Sequence, residues 1–377
     1  MRRTTGGMMM AGEVRPFKID VPQSVLDRIA AKLALSEVGY APADDADWKY
    51  GVDARWLRGL LDYWREGYDW RAAERALNAL PHFIARVEDI DVHFIHVRAR
   101  GAARLPIILT HGWPGSVIEF VEVVEPLAAM GFDVVVPSLP GYGFSSRPAN
   151  PIGARRVAGL WRKLMVDVLG YSRFGAQGGD WGSAVTSWLG GEHGDVVAGI
   201  HLNMFLLPAT ADDGDEATRA WRARLSSVQF LESAYMMEQA TKPQTIGLAL
   251  ADSPLGFAGW VAEKFQSWGD THGDIDSRFS KDRLLTNIML YLVNDAVQSA
   301  IWMYSSILTD PRDMPRVEVP TGCALFPAEF LPYPPRAAAE RAYNVARWTE
   351  MPAGGHFAAM EEPEAFAAEV GAFFSTL

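Results

Sequence analysis

Apolar positions in the first eighty residues recur at helical spacing. Val25, Leu26, Ile29 and Leu33 share one face of a 3.6-residue repeat, and Trp56, Leu57, Leu60, Leu61 and Trp64 do so again. Asp53 precedes the second run. A short carboxylate there can accept from the free amides of a first helical turn, so a helix is predicted to begin after it. A polar, proline-containing stretch at 41–47 separates the two helices. No titratable cluster in this region looks catalytic, and its expected role is packing on a neighbouring domain or at a subunit contact. From Phe83 the period changes. Short β-branched runs occur at 83–87, 92–97, 106–110, 133–137, 173–177, 196–202 and 322–326, with helical patterns at 117–130 and 154–169 between several of them. Strands alternating with helices predict a mainly parallel sheet covered on both faces. Between 208 and about 312 the strand signal vanishes and long helical patterns return, such as 283–307. The expected organisation is an N-terminal helical extension (1–82), a sheet domain in two parts (83–207 and 313–377) and a helical cap (208–312) inserted between them.

Composition narrows the classes of function. Of 377 residues, 49% are apolar and 21% charged, so a large core is available and disorder of the whole chain is excluded. The 35 basic and 46 acidic side chains give a net charge of −11, which disfavours nucleic acid and anionic lipid as partners. Cys323 is the only cysteine, so there is no internal disulfide and no cysteine cage for a metal. Eight histidines include no His-Glu-x-x-His match. The closest pair, His93 and His96, lies in a strand-like run whose odd spacing points them to opposite faces. Neither a metal nor a cofactor is expected. Arg2 and Arg3 precede an apolar stretch that ends at Gly12 and Glu13, too short for an export signal. The best longer apolar run, 246–262, is interrupted by Asp252, Ser253 and Pro254, short of the roughly 20 residues a membrane span needs. A cytoplasmic protein without a membrane partner is the expectation.

Three motifs carry chemistry. Gly178-Gly179-Asp180-Trp181-Gly182 directly follows the strand-like run at 173–177 and precedes a helical pattern. It fits a nucleophile elbow, in which small flanking residues let one side chain project above the sheet. The competing reading makes Asp180 an ordinary helix cap after a glycine turn. Thr110-His111-Gly112-Trp113-Pro114-Gly115 follows an earlier strand, where such folds place their other oxyanion donor. The backbone amides of Trp113 and Trp181 would then converge on one oxygen, and His111 is expected to be a structural hydrogen-bonder. Gly354-Gly355-His356-Phe357 stands late in the chain, in the order nucleophile, acid, histidine. Phe326-Pro327-Ala328-Glu329 supplies an acid on the loop after the last predicted strand, better placed than its rivals Glu350 and Asp313; Asn203, on another loop, cannot serve as a carboxylate. Together these predict an Asp-His-Glu α/β-hydrolase fold.

An aspartate nucleophile suits attack on saturated carbon, giving an alkyl ester that water activated by His356, oriented by Glu329, would hydrolyse. Epoxides and alkyl halides are the two electrophiles of this kind. A halide leaves as a stable anion and needs only N–H donors, whereas an opening epoxide releases an alkoxide and needs an acid such as tyrosine. A halide site commonly has asparagine where this chain has Trp113. The predicted cap offers Tyr235 and Tyr304, although composition alone does not select these two from eleven tyrosines.

The chain resembles the epoxide hydrolase family, in its microsomal-type branch with an N-terminal extension. The resemblance runs over nearly the whole sequence. It is carried by Arg15-Pro16-Phe17, Tyr63-Trp64-Arg65, Tyr68-Asp69-Trp70-Arg71, His111 to Ser116, Pro137-Ser138-Leu139-Pro140-Gly141 with Gly143-Phe144-Ser145, Gln177 to Gly182, Thr241-Lys242-Pro243 and Gly354 to Ala359. It implies an α/β-hydrolase fold with a helical cap, braced by residues up to about 82. It further implies Asp180 as nucleophile, His356 as base, Glu329 as its charge partner, and Tyr235 with Tyr304 as the acid pair. The membrane anchor of the mammalian microsomal enzymes has no counterpart, which suggests a soluble bacterial-type relative. A small-molecule epoxide is the expected partner, and a homodimer is an allowed assembly. The remaining alternatives are a haloalkane dehalogenase and a non-catalytic binding protein of the same fold.

Overall fold

Apolar runs and their turns assemble into one nine-stranded sheet in this computed structural model, which describes residues 12–205, 207, 215–310 and 314–377. Arg2, Arg3, Asp313 and both expected ends of the cap, Pro208 and Arg312, lie outside the described residues. The strands are β1 (Val14–Phe17), β2 (His82–Val87), β3 (Ile90–Val97), β4 (Ile107–Thr110), β5 (Val134–Pro137), β6 (Phe174–Gly178), β7 (Val197–Leu202), β8 (Val317–Leu325) and β9 (Tyr343–Glu350). Their spatial order is β1-β2-β3-β5-β4-β6-β7-β8-β9. From β5 to β9 every neighbour is parallel, and β4, β5, β6 and β7 are buried along their whole length, as strands covered on both faces must be. The first three strands are added antiparallel at one edge. Only Glu88 and Asp89 separate β2 from β3, and a two-residue connection with Glu88 at φ 52° permits nothing but a hairpin. Neither β1 nor β9 is among the predicted strands; β9 is mostly half-exposed and polar, so it lacks the apolar run that marks the central strands.

Helices α1 (Gln23–Leu35), α2 (Ala54–Glu66) and α3 (Trp70–Leu77) precede β2. Asp53 caps α2 as predicted, accepting from the amides of Arg55 and Trp56 at 2.8 and 2.9 Å. The buried face of α2 is Leu57, Leu60, Leu61 and Trp64, at helical spacing; each leucine contributes about 2 kcal/mol by leaving water. Helices α4 (Val124–Ala129), α5 (Ala154–Lys163) and α6 (Asp180–Glu192) pack on the parallel strands. Between β7 and β8 come α7 (Glu216–Glu232), α8 (Ala234–Thr241), α9 (Pro243–Asp252), α10 (Pro254–Trp268), α11 (Lys281–Leu292), α12 (Ala296–Trp302) and α13 (Ser306–Thr309). The helical pattern at 283–307 is therefore not one helix. Asp295 sits at φ 51°, a left-handed conformation that Asp tolerates better than most residues, and the chain breaks there. Tyr63 donates to Asp282 at 2.7 Å and Tyr68 bonds Thr286 at 3.1 Å, so the N-terminal helices are tied to α11. The chain closes with α14 (Arg336–Ala342), α15 (Ala358–Glu361) and α16 (Pro363–Phe374).

Candidate active site

The turn from β6 into α6 sets the position of Asp180. Gly179 occupies the helix cap and Asp180 the first helical position, at φ 46°. A non-glycine residue in that region is strained and must be held by its surroundings. Gly182 allows the helix to approach β4 so closely that a Cβ would collide with the Thr110 carbonyl oxygen. The Asp180 carboxylate does not cap its own helix, the competing reading of the motif. Its Oδ1 instead accepts the Trp113 N–H at 2.8 Å, from the turn after β4. Trp181 lies in the first turn of α6, where a backbone N–H has no intrahelical acceptor. His111 is structural, as expected: its Nε2 accepts from the Leu139 amide at 3.1 Å and its Nδ1 bonds the Gly112 carbonyl at 2.9 Å. His93 and His96 face opposite ways, toward Ser138 and Tyr171 respectively.

His356 follows β9 on a loop that turns through Gly354 at φ 100°. Its Nε2 lies 3.3 Å from Asp180 Oδ2, while Nδ1 lies 3.0 and 3.1 Å from the two Glu329 oxygens. Glu329 stands on the loop after β8, and its side chain is 1% exposed. Of its rivals, Glu350 ends β9 on the surface and Asp313 is outside the described residues. Burial alone would lower the His356 pKa. The Glu329 charge, joined by Asp180, reverses that effect and holds it well above the usual histidine range.

Tyr235 from α8 and Tyr304 from the short 3-10 turn Met303–Ser305 close the other side. The Tyr235 ring stacks on Trp113 at 5.2 Å between centroids, the Tyr304 ring meets Trp181 edge-on at 5.1 Å, and the two phenol rings are 5.8 Å apart. Burial, followed by the Asp180 charge for Tyr235 and by the Tyr235 and Asp180 charges for Tyr304, keeps both phenols well above their ordinary pKa. Asp180, Trp181 and both tyrosines line one cavity of about 370 Å³, whose other walls include Met204, Met236, Ile307, Phe330 and Leu331. All seven expected site residues therefore meet at one place, at the carboxyl ends of the parallel strands. Among the described residues no group of three or more His, Cys, Asp and Glu side chains is arranged to hold a metal ion, and no helix is long and apolar enough to cross a membrane.

Several site residues escaped sequence reasoning. Trp268, at the end of α10, accepts the His356 amide on its carbonyl at 3.0 Å and stacks on Phe330 at 4.5 Å. Glu361 accepts three amides, from Asp270, Gly355 and Phe357, at 2.6, 3.0 and 2.8 Å. Glu119 reaches the region between Asp180 and His356 from the 3-10 turn Val117–Phe120. An acidic residue inside the apolar run Val117, Ile118, Glu119, Phe120 was the one available signal for it.

The pattern of the epoxide hydrolase N terminus matches residues 14–120 and that of the alpha/beta hydrolase fold matches residues 106–230. A Stigmatella aurantiaca protein named "Putative epoxide hydrolase" is 41% identical over 379 residues, covering 97% of this chain and 85% of that protein. Juvenile hormone epoxide hydrolase 2 of Ctenocephalides felis is 34% identical over 395 residues, covering 95% of this chain and 84% of its own. The crystal structure of juvenile hormone epoxide hydrolase from the silkworm Bombyx mori superposes with a TM-score of 0.89 at 29% identity, over 97% of this chain and 95% of that one. With an elbow aspartate and two phenols on one apolar cavity, a histidine 3.3 Å from the carboxylate, and relatives of this kind along its length, the chain belongs to the epoxide hydrolase family and is an epoxide hydrolase of the α/β-hydrolase fold.

Proposed function

We propose that the enzyme opens an epoxide by attack of Asp180 and releases a vicinal diol by hydrolysis of the resulting ester. Asp180 Oδ2 forms a bond to a ring carbon as the carbon–oxygen bond of the oxirane breaks, and Tyr235 and Tyr304 deliver a proton to the leaving oxygen. Water then adds to the ester carbonyl carbon, giving one proton to His356 Nε2. The negative charge that develops on Oδ1 is met by the Trp113 and Trp181 amides. Collapse expels the diol oxygen, which takes the proton from His356, and the second hydrogen of the water, left on the carboxyl, returns to the tyrosinate, so that the carboxylate and both phenols are restored. The observation that carries this reading is the shared cavity: Asp180 and both phenols face one space, with His356 behind the carboxylate. The charge arrangement adds support. Esterification removes the Asp180 charge, one of the two that hold a proton on His356, so the imidazole loses proton affinity at the step that needs it neutral. The helices between β7 and β8 act in this scheme as the cap, residues 208–312. Residues 1–82 brace it, and 83–207 with 313–377 form the catalytic sheet domain. The substrate is a small-molecule epoxide with an apolar substituent, since the cavity walls beyond the reacting groups are mostly apolar.

Two variants test the route. Asp180→Asn is expected to lose turnover by at least about 10⁴-fold while keeping its fold. His356→Gln should open one equivalent of styrene oxide and retain it as an adduct on Asp180, seen as a mass increase of the intact protein. Normal rates in freshly purified Asp180→Asn, or no adduct in His356→Gln, would contradict the mechanism.

A further inference from the structure

Lys264, on α10, buries its charge. The residue is 7% exposed, and its Nζ stands 4.7 Å from the centroid of the Tyr235 ring and 5.4 Å from that of Trp268. Taking an ammonium out of water is costly, and a lysine whose only task is an ion pair can keep its head at the surface. Lys264 has partners for such a pair. It bonds its neighbour Glu263 and lies 4.0 Å from Glu232 on α7, and both carboxylates are half-buried, within reach of a solvated lysine head. Its Nζ nevertheless lies against two aromatic rings, whose negative faces attract a cation. The two phenols of the site differ in this respect. Asp180, Glu232 and Glu263 all oppose loss of the Tyr235 proton, and Lys264 is the cation set against them, over a ring into which a phenolate spreads its charge. Among the described residues no cation stands over the Tyr304 ring, which meets Trp113, Trp181 and Tyr235. Burial, the largest influence, disfavours ionisation of both phenols. Beyond it, Tyr304 favours the ionised form of Tyr235, whereas Tyr235 disfavours that of Tyr304.

Building on the two-step ester route above, we propose that Lys264 is a positioning residue that acts through Tyr235: its charge stabilises the phenolate formed on ring opening, so that Tyr235 gives up the proton while Tyr304 only hydrogen-bonds the oxygen. As the bond from Asp180 Oδ2 to the ring carbon forms, the carbon–oxygen bond of the oxirane breaks. The Tyr235 O–H bond breaks with it, the proton goes to the departing oxygen and the electron pair stays on the phenolate. Lys264 keeps all of its own protons. During ester hydrolysis the phenolate takes back a proton supplied by the water, and the charge over its ring is no longer needed.

A double-mutant cycle separates this role from a structural one. In rapid-quench experiments with styrene oxide, followed by intact mass, Lys264→Met should slow alkylation about 20-fold while ester hydrolysis stays within about threefold of the native rate. Lys264→Arg, which returns a cation to the ring, should recover at least about fivefold of the lost alkylation. In a Tyr304→Phe background Lys264→Met should again cost about 20-fold, but less than about twofold in Tyr235→Phe, whose ring packs alike and cannot ionise. Glu263→Gln removes an opposing charge and should speed alkylation about threefold, again only where Tyr235 is present; it decides the matter alone if no Lys264 variant folds. Equal losses in the two phenylalanine backgrounds, equal slowing of both chemical steps, or no recovery with arginine would reduce Lys264 to a packing residue. Failure of the route beneath reads differently. Native alkylation in Tyr235→Phe overturns the acid role of that phenol, and absence of trapped ester in His356→Gln overturns the two-step route itself.

Discussion

At the scale of single residues, the proposed acid pair illustrates how burial sets chemistry. Tyr304 is 2% exposed, and Tyr235 is sandwiched between Trp113 and Trp268 at ring separations of 5.2 and 5.2 Å. In these surroundings a phenolate is expensive, and burial together with the nearby Asp180 charge keeps both protons in place, the state a donor must hold before the ring opens. Either phenol can reach an oxygen in the shared cavity, so each should partly cover for the other. We expect Tyr235→Phe and Tyr304→Phe each to slow alkylation about 10- to 100-fold, and the double variant about 10³- to 10⁴-fold. Single-turnover alkylation rates at one pH measure this directly. A double variant with the native rate would remove both from the mechanism. The residue types were readable from sequence only through the family resemblance, because nothing in spacing distinguishes Tyr235 or Tyr304 from the other tyrosines. Asp180, by contrast, was legible from its glycines: the crowding at Gly182 is a steric demand that the chain has to write into its own sequence.

At the scale of elements, the junction between α10 and the His356 loop joins the inserted helices to the base. Trp268 supplies a carbonyl to the His356 amide, Asp270 Oδ2 accepts the Gly354 amide at 2.9 Å, and Glu361 gathers three further amides. Arg278 ties Asp270 to Glu362 through contacts of 3.0 and 2.8 Å. Glu361 is buried enough to push its pKa up to about 7, yet its three N–H donors favour the ionised form. A neutral amide would set an NH₂ group against backbone donors. Glu361→Gln is therefore expected to lose about 2 kcal/mol in urea unfolding near pH 8, and to slow ester hydrolysis about tenfold as His356 loses its anchorage. If both measurements match the native protein, the clamp has no energetic role. Little of this is visible in the sequence, because Gly354, His356, Glu361 and Glu362 lie more than eighty residues from Trp268 and Asp270, and sequence pattern reports neighbours along the chain, not across it. The same limit explains the elements that were misjudged. The central strands are apolar throughout and declare themselves, whereas β9 is polar and half-exposed and gains its place only by pairing with β8. The break at Asp295 hides inside a run of good helix formers, since one left-handed residue leaves the periodicity on either side intact.

Across the whole molecule, the buried titratable groups oppose one another with pH. Burial lowers the pKa of His82 and His93, which share a 2.9 Å hydrogen bond, and takes His96, His111 and His201 down to about 4. These five are neutral in the fold but bind protons near pH 6.5 when unfolded, so their contribution is complete above about pH 6.5 and is lost as pH falls. Each group near 4 removes on the order of 3 kcal/mol by pH 4. Glu119, at about 8, and Glu361, at about 7, have the opposite sign. Their folded pKa lies above that of a free carboxyl, so the fold gains stability as pH falls from about 8 toward 4.5, and His356, held above its usual range, acts in the same direction. From pH 8 to 6.5 the carboxyls and His356 act without opposition from the five histidines, and acidification stabilises. Below 6.5 the histidines outnumber them, and the balance reverses. Thermal midpoints measured across pH 4 to 9 at fixed salt should therefore peak near pH 6 to 7 and fall most steeply between about 6 and 4. Removing one opposing group should shift the curve in a known direction: Glu119→Gln abolishes the gain that its carboxyl supplies from pH 8 down to about 4.5, flattening the alkaline side and steepening the fall between 6.5 and 4.5. A native curve that rises continuously to pH 9, or a Glu119→Gln curve that keeps the native slope between pH 8 and 6.5, would show that these groups do not govern the pH response of the fold.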